Sequence, residues 1–323
     1  MSTDAGTAGD GSFLEEIQRV QLPERVERLV IEYEALCGER DRFLWQWIFS
    51  LFPAFTLSSV AEEHRPHVRE QKMLLTMFVT MLDDLVENHG DRRTFEQARR
   101  LVQDPDAVDR SRVAVSDEYF AFIEHVWRSF EDGLDDAPRG EEFEEVFDYD
   151  CRQTLNAMDY SAVVNDNPRI ANLGGAKHYD AHNMVMFPYA DIDLMYSPEF
   201  ELADFGTVRD LLWDLQEMAR IGNWLTTWER EIAEGDYSAG IVVLALQEGI
   251  VSPAELEAAD DDGAAAIQRI KAENLESKFR ERWAQCYRAV RDREFDTESV
   301  DLETLVDGME TVFQYHEASR GHK

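Results

Sequence analysis

Lysine is nearly missing from this chain. Of its 32 basic residues only five are lysine, at 72, 177, 271, 278 and 323. Cations are outnumbered altogether, 32 against 67 Asp and Glu, for a net charge of −35. A field of that sign argues against nucleic acid or an anionic membrane as partner, since both call for a basic surface. It is the pattern expected of a halophilic protein, adapted to a salt-rich cytoplasm where screening limits self-repulsion. Cysteine is scarce too. Cys37, Cys151 and Cys286 are odd in number and widely spaced, with no CxxC or Cys/His cluster. That spacing argues against a zinc site and against a disulfide framework. No apolar run reaches the roughly 18 residues of a membrane helix. The first twelve residues, MSTDAGTAGDGS, lack the basic and apolar regions of a secretory leader and read as a disordered tail. A soluble, cytoplasmic protein is the expectation.

Proline (9) and glycine (17) are few, and no stretch alternates polar with apolar. What remains is rich in Leu, Ala, Glu and Arg, with 44% hydrophobic residues and 18 Phe, 7 Trp and 10 Tyr. That favours an all-α protein with a sizeable core. Helical periodicity covers 13–37 (with Pro23 opening a second piece), 41–52, 65–88, 92–102, 110–134, 140–164, 176–189, 204–237, 238–247, 264–290 and 302–319. Breaks fall at Pro53, His89-Gly90, the 104–106 turn, 165–168, Gly174-Gly175 and an acidic loop at 257–263. There is no internal repeat or linker, so 13–323 is expected to form a single domain of ten or more helices.

Two stretches carry candidate chemistry. In the proline-free 204–237 segment, Asn223, Thr227 and Glu231 fall at i, i+4 and i+8. That register puts an amide, a hydroxyl and a carboxylate on one stripe of a helix. All three offer oxygen to a hard cation such as Mg²⁺. Arg230 stands beside the last of them and could reach an anion held by that cation. The second stretch is Asp83-Asp84-Leu85-Val86-Glu87. It follows some ten nearly uninterrupted apolar residues, so its carboxylates end a buried helix and call for a cation or donors. Asp83 and Glu87 share a face, and Asp84 is adjacent.

Together, DDLVE at 83–87 and NWLTTWERE at 223–231 resemble the class I terpene synthases, of the bacterial type. Those enzymes carry an aspartate-rich motif on one helix and Asn-x3-Ser/Thr-x3-Glu on a facing one. Asn223 follows Asp83 by 140 residues, which suits that family. Glu231-Ile-Ala-Glu-Gly235-Asp236 and the apolar IVVLAL after it also match. The resemblance covers about 41–320 and implies an α-helical bundle of the class I terpenoid synthase type, with the active site at its centre. It further implies metal ligation by Asp83, Asp84, Glu87, Asn223, Thr227 and Glu231, with Asp84 supporting the shell by pairing with a cation. Three Mg²⁺ ions are expected with substrate bound, Mn²⁺ being a substitute.

Family spacing puts the arginine that senses diphosphate 46 residues before the motif Asn. Here that position is Lys177, with Asp180 as the linking acid and Ala181 where the family usually has Gly. His178 and His182 are rival anion contacts. Arg230 and Arg320 complete the implied diphosphate clamp, although the family's tyrosine after the last arginine is Gly321 here. Candidate cavity aromatics are Phe55, Phe78, Phe187, Trp224, Trp228 and Tyr315, whose faces can stabilise carbocations. The implied activity is that of a carbon–oxygen lyase: ionisation of a prenyl diphosphate and cyclisation to a hydrocarbon or alcohol. A farnesyl (C15) substrate is expected first and geranylgeranyl (C20) next, and a homodimer is compatible with this reading. Two alternatives stay open: a prenyltransferase or squalene/phytoene-type synthase on the same fold, and a prenyl-diphosphate-binding homologue without catalysis.

Overall fold

The computed structural model describes residues 14–257 and 263–321. The expected N-terminal tail and most of the acidic loop at 257–263 lie outside the described residues. Among those described there is no strand. The helices of eight or more residues are α1 (Glu24–Leu36), α2 (Arg42–Leu51), α3 (Arg65–Glu87), α4 (Asp117–Leu134), α5 (Gly140–Asp166), α6 (Met186–Met195), α7 (Phe205–Glu234), α8 (Gly240–Gln247), α9 (Ala264–Ala272), α10 (Leu275–Arg291) and α11 (Leu302–Ala318). None is long and apolar enough to cross a membrane.

Local chemistry accounts for the boundaries. Asp41 caps α2 by accepting from Phe43 N, and Asp301 caps α11 by accepting from Thr304 N. Four expected segments are cut differently, the 92–102 segment into Arg92–Ala98 and Arg100–Gln103. The 110–134 segment begins its helix only at Asp117, because Ser116 caps it there by accepting from Tyr119 N at 3.1 Å. The 264–290 segment is two helices, α9 and α10, parted at Asn274, which sits in the left-handed region (φ 52°) that Asn tolerates better than most residues. The 176–189 segment is not one helix either. It is a short turn of helix at Leu173–His178, a 3-10 stretch at Asp180–Met184, and the start of α6. Pro188 falls inside that segment. It occupies the first turn of α6, where no N–H is needed.

α6 is buried along its whole length, as a helix apolar on nearly all sides must be. It packs against α3, α5 and α7, and so holds α3 and α7 on either side of a central space. α11 closes that space from a third side by packing on α7 and on the 3-10 turn Phe52–Phe55. Gly308 makes the last contact feasible, because a Cβ there would lie 1.7 Å from the Ala54 carbonyl oxygen.

Candidate active site

The space between α3, α6, α7 and α11 is a cavity of about 220 Å³. α3 contributes Asp83 and Glu87 near its C-terminal end, α7 contributes Arg220, Asn223, Thr227, Arg230 and Glu231, and all seven line the cavity. Thus the 83–87 and 223–231 stretches, far apart in the chain, meet across one void. Asp84 does not join them. It is fully buried and accepts from Arg40 Nη2 (2.5 Å) and Nε (2.9 Å), Asn88 Nδ2 (2.9 Å) and the Tyr33 hydroxyl (3.2 Å). Its expected place among the metal ligands is corrected to an ion pair that fixes the end of α3, because neighbouring i and i+1 side chains point about 100° apart.

The cavity is electrostatically frustrated. Burial, then the charge of Asp84, pushes the Asp83 carboxyl up to about 7. Burial, then Asp236, pushes Glu231 up to about 7. Glu87 is raised well above the usual range by burial and then by Asp83, Asp236 and Glu231. Asp83 and Glu87 are half-buried, but they line the cavity, so enclosure governs their titration. Arg220 opposes the rise in each of these groups. Glu231 Oε2 is buried without a hydrogen-bond partner.

A test follows from the sign of these shifts. A carboxyl whose folded-state pKa is raised binds its proton more tightly when folded, so stability is lost as pH climbs from the ordinary carboxylate range to about 7. Metal-free protein in EDTA should therefore melt roughly 5 °C higher at pH 5.5 than at pH 7.5. In an Asp83→Asn/Glu231→Gln double variant the difference should shrink by at least half. An unchanged slope would show that the cluster is not its source.

These groups suit a hard divalent cation. Carboxylate, amide and hydroxyl oxygens are ligands for Mg²⁺ rather than for zinc, which favours nitrogen and sulfur. A buried carboxylate oxygen without a donor, beside carboxyls that repel one another, calls for added positive charge. As the side chains stand, no three His, Cys, Asp or Glu among the described residues converge on one point. The candidate ligands are instead split between two walls.

Several other expected residues lie elsewhere. Lys177 is half-exposed and pairs with Glu217 at 2.7 Å. Together with Ala181 it borders an adjoining pocket shared with Trp224, Arg282 and Arg220; of these only Arg220 also lines the cavity. Arg320 binds Glu276 (2.9 Å) and the Leu225 carbonyl, which ties α11 to α7 and α10. Asp180 is buried and chelates Arg220. His182 packs between Phe187 and Trp213, and neither it nor His178 lines the cavity. Of the six expected aromatics only Phe55 lines it. Phe78 packs on Trp127 (4.7 Å between centroids), Phe187 on Trp213 (4.9 Å) and Trp224 on Phe279 (5.7 Å). Trp228 donates to Glu276 at 3.0 Å. Tyr315 presents its backbone carbonyl to Trp47 Nε1 at 3.1 Å. Trp224 and Trp228 each follow a cavity residue by one position, which turns them onto the next face of α7.

The aromatic wall is built from Trp47, Phe52, Phe55, Tyr189 and His316. Phe52 meets Phe55 and Tyr189 edge-on at 5.6 and 5.5 Å. Apart from Phe55, the sequence did not single these out. Arg220 was legible in principle: it extends the stripe of 223, 227 and 231 by one turn towards the helix start.

No curated protein and no solved structure gives a significant match to the chain. The family described as terpene synthase family 2, C-terminal metal binding, matches residues 75–269. That span is more than half of the 323 residues and takes in both oxygen-bearing walls. On that match, and with a wholly helical fold around them, the chain belongs to the bacterial-type class I terpene synthases.

Proposed function

We propose that the protein, from about residue 13 onward, is a single-domain, cytoplasmic terpene cyclase that uses Mg²⁺ to ionise a prenyl diphosphate, a farnesyl chain being the first expected substrate. One observation carries the reading. Asp83 and Glu87 face Asn223, Thr227 and Glu231 over a cavity otherwise lined by aromatic and aliphatic side chains together with Arg40, Thr76, Thr80, Asn183, Arg220 and Arg230. Mg²⁺ held by these five residues would neutralise the diphosphate leaving group as the C–O bond breaks.

The chain's own residues account for the rest. Arg230 borders the cavity; its Nε makes no hydrogen bond and lies 3.7 Å from Glu234 Oε2, and it can donate to a diphosphate oxygen. Phe52, Phe55 and Trp47 offer ring faces to an allylic cation. Met186 and Val312 help exclude water. The bonding pair leaves with the diphosphate. The cation closes a ring, then loses a proton or takes up water.

The test is product analysis by gas chromatography and mass spectrometry with C10, C15 and C20 prenyl diphosphates, Mg²⁺ and molar KCl, the salt being chosen for the net charge of −35. Cyclic hydrocarbon or alcohol with released pyrophosphate is the expected result. A longer prenyl diphosphate, or no turnover with any of the three, would overturn the proposal.

A further inference from the structure

A diphosphate needs a cation from the protein as well as metal, and Lys177 is turned away from the cavity onto Glu217. Arg220 is differently placed. It lines the cavity and is only 5% exposed. Asp180 grips it through two bonds, Nε to Oδ2 at 2.6 Å and Nη2 to Oδ1 at 2.7 Å. Asp180 is itself held, accepting from Ser161 at 3.2 Å and from Asn183 Nδ2 at 3.3 Å. The plane of the guanidinium is thereby fixed. Its remaining nitrogen, Nη1, donates to Asn223 Oδ1 at 2.8 Å, an oxygen of the candidate metal wall.

We infer that Arg220, positioned by Asp180, is the diphosphate-binding cation of this site in place of Lys177, and that its Nη1 leaves Asn223 to donate to a diphosphate oxygen. The inference rests on the proposed function. A cation ligated by Asn223 Oδ1 competes with Arg220 for that oxygen and repels the guanidinium beside it. When that oxygen is committed to a cation, Nη1 needs another acceptor, and a diphosphate oxygen in the cavity supplies one. The two bonds to Asp180 need not break, so the guanidinium is already oriented. A lysine at this position would supply charge without the fork that holds it. An ion pair serving only to join α7 to the 180–184 turn would leave anion affinity untouched.

The experiment is calorimetric titration of the full chain with inorganic pyrophosphate in the presence of Mg²⁺. Melting curves and circular dichroism confirm that each variant is folded at the titration temperature. Arg220→Gln is expected to weaken binding roughly ten- to a hundredfold and Arg220→Lys about tenfold. Asp180→Asn, which loosens the guanidinium, should weaken it by about threefold or more. Lys177→Gln should stay within about twofold of the wild type, as a half-exposed surface pair contributes little. If Arg220→Gln fails to fold, Arg220→Lys, which keeps the charge beside Asp180, decides alone. Wild-type affinity in Arg220→Lys, or a loss in Lys177→Gln as large as in the Arg220 variants, overturns the inference and leaves the proposed function standing. Failure of the wild type to bind pyrophosphate with Mg²⁺ overturns both.

Discussion

Glu231→Gln is expected to lower turnover roughly a hundred- to a thousandfold while the metal-free protein melts at the same temperature or slightly higher. The substitution keeps the shape of a side chain that is 6% exposed. It removes a charge that burial and Asp236 already disfavour, so folding loses nothing. Metal binding loses a carboxylate. The amide also turns an NH₂ donor towards a cavity wall where acceptors should face a cation. A single misplaced electrostatic group at a centre of developing charge typically costs that factor of about 10²–10³. Asn223→Ala should act in the same direction, as it removes another oxygen of the same stripe. Two measurements check this: product formed per enzyme, and the rise in melting temperature on adding Mg²⁺. The wild type should show the rise and Glu231→Gln should lose most of it. If Glu231→Gln kept more than a tenth of wild-type turnover, Glu231 would not be a metal ligand.

The shared stripe of the candidate metal wall was readable from sequence because it lies on regular helix. Asn223, Thr227 and Glu231 belong to one uninterrupted 30-residue helix, so counting by 3.6 gives their common direction. Asp83 and Glu87 follow from the same rule within α3. Lys177 and Arg320, expected at the same site as Arg230, lie away from the cavity because that rule stops applying there. Between Leu173 and Met186 the chain passes through a short helix and a 3-10 stretch. It then passes through Val185 at φ 58°, a left-handed conformation rare for a β-branched residue. Each change of phase rotates later side chains, so a count of 46 residues locates position 177 but not its direction. At the chain end, Arg320 is directed by Glu276 on α10, a partner no local pattern announces. The expected cavity aromatics other than Phe55 lie elsewhere for another reason. In a core this rich in Phe and Trp, hydrophobicity marks burial and does not separate a ring facing a void from a ring facing another ring. Phe55 and Phe52 come to the void through a 3-10 turn around Pro53, and Tyr189 through α6.

That turn depends on a buried ion pair, which sets the largest expected effect on stability. Lys72 is 0% exposed and lies on α3. Its Nζ donates to Asp193 of α6 at 2.8 Å, to the Phe55 carbonyl at 3.2 Å and to the Thr56 hydroxyl at 3.3 Å. Asp193 also accepts from Leu57 N at 2.9 Å. One ammonium thus ties α3, α6 and the turn carrying Phe55. Burial raises the Asp193 carboxyl to about 6 even with Lys72 opposing the rise. Lys72→Met would leave this carboxyl buried with one backbone donor, a loss of about 3–5 kcal/mol. For a chain of this size the melting temperature should fall by roughly 5–15 °C. Lys72→Met/Asp193→Leu, which removes both charges, should recover most of the loss, since apolar replacement of a whole buried pair is often close to neutral. A single variant melting within about 2 °C of wild type would refute this account. The double variant also separates stability from shape. With Asp193 replaced, Leu57 N loses its acceptor and the Phe55 turn loses its anchor. Below its melting temperature the double variant should still ionise substrate, because Asp83, Glu87 and the 223–231 stripe are untouched. Its product mixture should broaden as the aromatic wall loosens.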